Sequence, residues 1–197
     1  MKIVASVSTA CFLPLLLVAC ASDRAPADVP STEKAPSTFS LDVSGEVPTS
    51  VLPNRDLQCH LEAKPTYRLG EPVEVLFRLK NTGTQPLWVL RWNTPFEGLI
   101  GDCFEIFRDD EVVFFQGRMI KRAMPEAWEY IVIPPGESKE ASVDLRSAYL
   151  VDQKGRYHLA FDTALFDVTD DESLVPRKLE QHQSFDPHCP EVVFEIR

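Results

Sequence analysis

Strict alternation of apolar and polar side chains is the sequence feature that most limits how this chain folds. In residues 57–63 the apolar side chains of Leu57, Cys59 and Leu61 alternate with polar ones, and residues 73–80 repeat the pattern. A period of two residues places successive side chains on opposite faces of a β-strand, whereas an amphipathic helix needs a period near 3.6. Helical periodicity is almost absent from there to the C-terminus, which predicts an all-β domain.

A central stretch, residues 86–107, organises this domain in the sequence. It predicts a strand at residues 87–92, a polar turn at residues 93–95 and a second strand from Cys103. We expect the later strands to pack around these two, and Asn81-Thr82-Gly83 to form a hairpin turn that leads into the first. Further strands are predicted at residues 104–107, 112–115, 128–133, 141–145, 157–161 and 192–196.

About eight short strands, separated by Gly and Pro, predict an immunoglobulin-like antiparallel β-sandwich over residues 56–197. Gly155-Arg156-Tyr157 is similar to the start of a late strand in that fold, where a tyrosine hydroxyl bonds back to a loop. Residues 163–190 are predicted to form a long loop. No second domain is predicted.

The first twenty residues have the pattern of a secretion signal. An apolar run at residues 3–18 is shorter than the ~20 apolar residues of a membrane-spanning helix, which favours a signal peptide at residues 1–19. The run ends in Leu17-Val18-Ala19-Cys20, which resembles the lipobox of bacterial lipoproteins. That resemblance implies cleavage before Cys20 and lipid attachment to Cys20. The alternative is an ordinary signal peptide followed by a chance cysteine.

Residues 20–55 are predicted to be an acylated, disordered tether. They are rich in Ala, Pro, Ser and Thr, and they have too little apolar surface to offset the entropy of the chain. Several acyl chains anchor a protein lastingly, so the membrane is an expected partner. Ala21 rather than Asp follows Cys20, which by resemblance favours the outer membrane, with the periplasmic face preferred over the cell surface.

The charge of the chain disfavours a nucleic-acid partner. The sequence has 20 basic and 30 acidic residues, a net charge of -10. Removal of Lys2 with the signal peptide leaves 19 basic against 30 acidic residues, a net charge of -11. Such a chain, without a basic run, is repelled by a phosphate backbone.

Three cysteines remain besides Cys20 once Cys11 has left with the signal peptide, and they allow three pairings. Cys59 lies in the first predicted strand and Cys189 precedes the last one. The first and last strands of immunoglobulin-like sandwiches are often neighbours, so we expect a disulfide between Cys59 and Cys189. Cys103 is then expected to be a buried thiol that packs as a small apolar residue.

No catalytic or metal-binding constellation is found in the sequence. It contains no His-Glu-x-x-His or Cys-x-x-Cys spacing, no Gly-x-Ser-x-Gly elbow and no Gly-rich phosphate loop. The adjacent His188 and Cys189 are the nearest approach to a metal site, and ordinary loop residues explain them. We therefore expect a protein that is not an enzyme and has neither a metal nor a cofactor.

Candidate partner-binding residues come from two loops, and two interpretations stay open. In the functional one, Trp92, Asn93, Thr94, Lys121 and Arg122 present aromatic and cationic groups to a protein partner. In the structural one, Asn93 and Thr94 cap a turn, Trp92 packs, and Lys121 or Arg122 pairs with a nearby acid.

Trp92-Asn93-Thr94-Pro95, followed by Lys121-Arg122 and Pro125, belongs to a longer pattern over residues 57–163. This pattern resembles the non-catalytic N-terminal β-domain of deuterolysin-type (peptidyl-Lys) zinc metalloendopeptidases. The zinc-binding His-Glu-x-x-His of that family is not found here, so no catalytic residue carries over. The other matching positions are residues 73–79, Asn81, residues 87–91, Gly98, Phe104, Gly117, residues 135–136 and residues 155–157.

Two functions are consistent with these patterns. The first is a lipid-anchored envelope lipoprotein whose β-sandwich is a non-enzymatic protein-binding module. The second, implied by the resemblance, is a regulator or inhibitor of a secreted metalloprotease that acts in trans as a detached N-terminal domain.

Overall fold

A computed structural model describes residues 56–197 of the chain. The predicted signal peptide at residues 1–19, the lipid-attachment residue Cys20 and the tether at residues 20–55 lie outside the described residues. Within residues 56–197, no helix is long and apolar enough to cross a membrane.

The described chain contains eleven strands and four short 3-10 helices, which confirms the predicted all-β fold. The 3-10 helices are Ala127–Glu129, Leu145–Ser147, Glu172–Leu174 and Leu179–Gln181. The strands are β1 (Leu57–Ala63), β2 (Thr66–Tyr67), β3 (Glu74–Asn81), β4 (Leu87–Leu90), β5 (Phe104–Arg108), β6 (Glu111–Val112), β7 (Tyr130–Ile133), β8 (Ser138–Asp144), β9 (Gly155–Phe161), β10 (Val168–Thr169) and β11 (Val192–Ile196).

Two sheets form the sandwich. One has the order β1-β3-β8, and the other has the order β2-β11-β9-β5-β6. Side chains from both meet in one core, where the ring of Phe77 on β3 lies 4.9 Å from that of Phe161 on β9. These orders match strands A-B-E and G-F-C of immunoglobulin-like domains, which confirms the predicted architecture. One pairing, β2 with β11, is parallel rather than antiparallel.

A third small sheet, β10-β4-β7, was not predicted and corrects the expected centre of the domain. The strand that begins at Leu87 lies in this sheet, whereas β5, which follows Cys103, lies in the five-stranded sheet. The two do not pair, so residues 86–107 join separate sheets. Leu87 and Val89 nevertheless reach the main core, while Leu90 on the other face begins a second, smaller cluster.

The predicted hairpin at Asn81-Thr82-Gly83 is also wrong, because β3 and β4 belong to different sheets. The side chain of Asn81 is fully buried and directs the crossing. Its Nδ2 donates to the carbonyls of Gln85 at 2.7 Å and Ile133 at 2.9 Å, while its Oδ1 accepts from the amide of Gly83 at 2.9 Å. Turn residues thus give the local bend correctly but not the sheet to which the next strand belongs.

Two predicted strands are shorter in the structure. The strand expected at residues 112–115 ends at Val112, because the chain then turns so that Phe115 pairs with Tyr149. The strand expected at residues 128–133 begins at Tyr130, because Glu126 and Glu129 form a capping box around a 3-10 turn. Trp128 sits in that turn and is exposed.

One local hydrogen bond and one disulfide hold parts of the sandwich together. The hydroxyl of Tyr157, at the start of β9, donates to the carbonyl of Gln153 at 2.7 Å, which is the tyrosine contact expected from Gly155-Arg156-Tyr157. Cys59 on β1 and Cys189 before β11 are joined by a disulfide with a Cα–Cα distance of 4.7 Å. The first and last strands are thereby linked across 130 residues.

We expect Tyr157→Phe to lower the free energy of unfolding by about 1 kcal/mol, because the carbonyl of Gln153 loses its hydrogen bond while the aromatic ring stays in the core. Chemical denaturation with constant m-values measures this change. Gln153→Ala is the matched control, since the bond is to a backbone oxygen, and it should alter stability by no more than about 0.5 kcal/mol. Equal stability of Tyr157→Phe and wild type would contradict the role given to this contact.

Candidate functional site

The turn that follows β4 is held by its own side chains. The hydroxyl of Thr94 donates to the carbonyl of Arg91 at 2.6 Å and accepts from the amide of Phe96 at 3.3 Å. Asn93 has a left-handed φ of 52°, and its amide donates to the carboxylate of Glu97 at 2.6 Å. Thr94 is fully buried, so its hydroxyl is committed to the turn.

Trp92 lies inside the domain rather than on its surface. It is only 3% exposed and packs with Leu90 and Tyr130 in the smaller hydrophobic cluster. Its Nε1 donates to Glu129 at 2.6 Å, and the guanidinium of Arg122 lies over its ring, 5.1 Å from the centroid. Buried tryptophans generally satisfy the indole N–H in this way.

Arg122 joins the two predicted loops. Its guanidinium donates to the carboxylate of Glu97, whose side chain is 5% exposed, while it covers the ring of Trp92. The neighbouring Lys121 is exposed and makes no ion pair within residues 56–197. Arg122 therefore neutralises a carboxylate that has been largely removed from water, and Lys121 does not share this task.

This geometry assigns most of the predicted binding residues to the structural interpretation. Trp92 and Thr94 are buried, Arg122 is paired, and Asn93 uses its side-chain amide to reach the hydroxyl of Thr163 at 3.2 Å. The prediction that Trp92 and Thr94 face a partner is corrected, because residue type alone does not indicate which aromatic side chain a turn will bury. Lys121 remains available at the surface.

The exposed aromatic and apolar groups lie instead in the segment at residues 118–128. Four of the thirteen exposed large hydrophobic side chains among the described residues fall within these eleven positions. Both methionines of residues 56–197 are among them. Their exposed fractions are Met119 80%, Ile120 44%, Met124 51% and Trp128 66%.

Concentrated exposure of this kind distinguishes the segment from ordinary surface. Single exposed apolar residues are common, whereas clusters of them mark interaction sites, and methionine adapts to varied partner shapes. Trp128 is held in place, since its Nε1 donates to Glu126 at 2.7 Å and Arg91 lies 5.7 Å from its ring centroid. The lack of alternation at residues 118–128 is the sequence signal from which this surface could have been found.

The loop at residues 163–190 is fixed to the third sheet by a buried ion pair. Asp167 is fully buried and accepts from the guanidinium of Arg177 at 3.1 Å, from the hydroxyl of Tyr130 at 2.7 Å and from the amide of Gln183 at 2.8 Å. Arg177 also donates to Thr169 at 2.7 Å. Burial and the hydrogen bond to Asp167 raise the pKa of Tyr130 well above its ordinary value. The network explains how a loop without strand patterning is nevertheless ordered.

Cys103 is a buried free thiol, 1% exposed, immediately before β5. Burial, with a smaller contribution from the carboxylate of Asp102, raises the pKa of its thiol to about 12. A thiol with so high a pKa is protonated at neutral pH and is a poor nucleophile. Cys103 therefore packs in the core as a small apolar side chain.

The described part of the chain has no cluster of side chains suited to bind a metal ion. Among residues 56–197, no group of three or more His, Cys, Asp or Glu side chains is arranged to hold a metal ion. His188 pairs with Asp186 at 3.2 Å, and its neighbour Cys189 is in the disulfide.

Arg122→Ala should lower the free energy of unfolding by about 2 kcal/mol, because the carboxylate of Glu97 would stay largely buried without its cation. Lys121→Ala is the matched control and should change stability by less than about 0.5 kcal/mol, since that side chain is exposed and unpaired. Denaturant titration of both variants measures the difference. Equal losses would show that the ion pair does not hold the two loops together.

The thiol of Cys103 should resist alkylation by iodoacetamide at pH 8 in the folded protein and react fully in denaturant. Its folded pKa lies above the unfolded value, so the unfolded chain gains stability by ionising as pH rises past about 8.5. Between pH 8 and pH 10 this single group should lower the free energy of unfolding by about 2 kcal/mol, measured as the difference between wild type and Cys103→Ala. Rapid alkylation of the folded protein would contradict the assignment.

Comparisons with known proteins give a limited match. No protein-family model matches the chain. An extracellular protease of Aeromonas hydrophila is 29% identical over 103 residues, which are 51% of this chain and 30% of that protein. The chain thus resembles part of an extracellular protease and spans less than one third of it.

Solved structures resemble the chain only weakly. The CARDB domain of a Pyrococcus furiosus protein in complex with di-metal ions is 12% identical, with 72% of this chain and 92% of that chain covered and a TM-score of 0.30. A mutant beta-glucosidase from Listeria innocua is 11% identical, with 72% and 16% covered and a TM-score of 0.30. Scores this low carry no argument about function. Residues 56–197 form an immunoglobulin-like β-domain, in a chain that resembles part of an extracellular protease.

Proposed function

We propose that this chain is a cell-envelope lipoprotein, acylated at Cys20, whose β-sandwich binds a protein partner without catalysing a reaction. The observation that carries the binding role is the exposed segment at residues 118–128. Exposed apolar side chains such as Met119, Met124 and Trp128, all within eleven residues, lower the solubility of a protein. Such a cluster is typical of a surface that a partner covers. Aromatic residues and methionine are enriched in protein interfaces.

The anchor is supported by the N-terminal sequence. Leu17-Val18-Ala19-Cys20 closes an apolar run, and residues 20–55 have the composition of a flexible tether. A tether of this kind keeps the β-sandwich near a membrane while leaving it free to rotate toward a partner. Ala21, which follows Cys20, favours location in the outer membrane, with the domain on the periplasmic side.

A second candidate function is regulation or inhibition of a secreted protease in trans. The match to an extracellular protease favours it, because half of this chain resembles part of such an enzyme. A β-domain that assists a protease from within the same chain presents a surface to it, and a separate copy of that domain retains the same kind of surface. The deuterolysin-type resemblance suggests zinc metalloproteases as the class to test.

Replacement of Cys20 tests the anchor. In cells that express the full chain, wild type should sediment with membranes and incorporate labelled palmitate, whereas Cys20→Ser should lose the label and move to the soluble fraction. Cys11→Ser is the matched control, because that residue leaves with the signal peptide. A Cys20→Ser protein that still carries the label would overturn the anchoring proposal.

Substitution of apolar residues in the exposed segment tests the binding role. The lipidated protein is purified from membranes with its bound proteins, and Met124→Ser/Trp128→Ser is compared with Leu69→Ser/Leu150→Ser, which alters apolar residues of similar exposure elsewhere. Loss of central aromatic or apolar anchors costs more than about 1 kcal/mol each, so recovery of the partner should fall at least about tenfold in the first variant alone. In parallel, inhibition of a purified deuterolysin-type protease by the soluble domain separates the second candidate from the first.

A further inference from the structure

The tip of the exposed segment is held between two fixed points. At one end, the carbonyl of Arg118 accepts from the amide of Gly101 at 3.0 Å, and the backbone of Arg118 pairs with Ile100. At the other end, Arg122 is fixed by its ion pair with Glu97 and by the ring of Trp92. The three residues between these points, 119–121, project from an anchored base.

The first fixed point depends on a glycine. Gly101 has a φ of +105°, and a Cβ at this position would lie 2.4 Å from Oδ1 of Asn93. Only glycine fits both the left-handed conformation and the close approach. The turn after β4, which holds Asn93, and the base of the segment at residues 118–128 therefore form one packed unit.

The charge of the tip is opposite to that of the domain. Residues 56–197 contain 16 basic and 25 acidic side chains, a net charge of -9. Arg118 and Lys121 are nevertheless both exposed, and neither makes an ion pair in the described part of the chain. The tip thus combines two free cations with the 80% exposed side chain of Met119 and the 44% exposed side chain of Ile120.

We propose that Met119, Ile120 and Lys121 form a preformed plug that inserts into a concave, apolar cleft edged by carboxylates on a protein partner. Met119 and Ile120 fill the cleft, and the ammonium of Lys121 pairs with a partner carboxylate. This inference rests on the proposed function, because it specifies the partner of the same exposed segment.

Anchoring at both ends gives the plug its physical advantage. A flexible loop loses conformational freedom when it binds, and that loss subtracts from affinity. Here the packing of Gly101 and the ion pair of Arg122 fix the base of the plug before any partner arrives. Arg122 is accordingly a positioning residue, and Lys121 is the residue that touches the partner.

Charge complementarity favours a protein cleft over a membrane surface. An anionic bilayer presents an extended negative plane that faces the whole domain, and a net charge of -9 opposes close approach. Each Lys or Arg near such a surface contributes only about 1 kcal/mol, so two cations do little against that repulsion. A cleft admits the tip alone, so the positive plug meets carboxylates while the acidic body stays in solvent.

A photo-cross-linking experiment on the full, lipidated chain tests the plug. The cross-linker p-benzoylphenylalanine is placed at position 119, with position 69, another exposed apolar residue, as the control site. The expected result is a protein adduct from position 119, attached to a partner peptide rich in Asp and Glu. Lys121→Glu should reduce the adduct at least about tenfold, because close interfacial charge pairs contribute strongly, whereas Lys154→Glu, a reversal at another exposed lysine, should not.

Several outcomes would overturn the plug. Attachment to phospholipid would assign residues 119–121 to the membrane, and an adduct with a second copy would make the surface a self-association site. A protein adduct whose yield is unaffected by Lys121→Glu would contradict the proposed pairing of Lys121 with a partner carboxylate. No adduct from position 119, while a partner still co-purifies, would reject the plug and leave the proposed function standing. If neither an adduct nor a co-purified partner is found, both the plug and the proposed binding function are rejected.

Discussion

The aromatic core contact of Phe77 connects the parts of this domain. Its ring lies 4.9 Å from Phe161 in the opposite sheet and 5.2 Å from Phe96 in the turn after β4. Burial of such rings supplies a large part of the hydrophobic stabilisation of a small domain. Because one side chain contacts both layers of the sandwich and the turn, the position of the candidate site follows from the packing of the core.

The regular strands were predictable from the sequence because a single rule governs them. Alternation located β1 and β11, and the Gly155-Arg156-Tyr157 sequence indicated how β9 begins and where its tyrosine hydroxyl bonds. The third sheet was not predictable in the same way. Its strand β10 has only two residues, and its loop is ordered by the buried pair of Asp167 and Arg177, which no local pattern indicates.

The candidate site shows a different limit of sequence reasoning. Trp92 and Trp128 are the same residue type in similar polar surroundings, yet one is 3% and the other 66% exposed. Each indole N–H donates to a glutamate and each ring has an arginine near it, so the difference arises from apolar packing: only Trp92 lies in the buried cluster with Leu90 and Tyr130. Composition near a turn therefore indicated that an aromatic group is present there, but the fold decided which one meets solvent.

The link between Cys59 and Cys189 has a consequence for the integrity of the domain. The bond joins two cysteines 130 positions apart in the sequence, and the exposed segment at residues 118–128 lies inside the loop that the bond closes. A protease that cut the segment would produce two fragments still covalently joined, with β3 paired to β8 and β5 paired to β9 across the break. Such a nicked molecule would keep its shape and its mass apart from one added water, and only reduction would separate its halves.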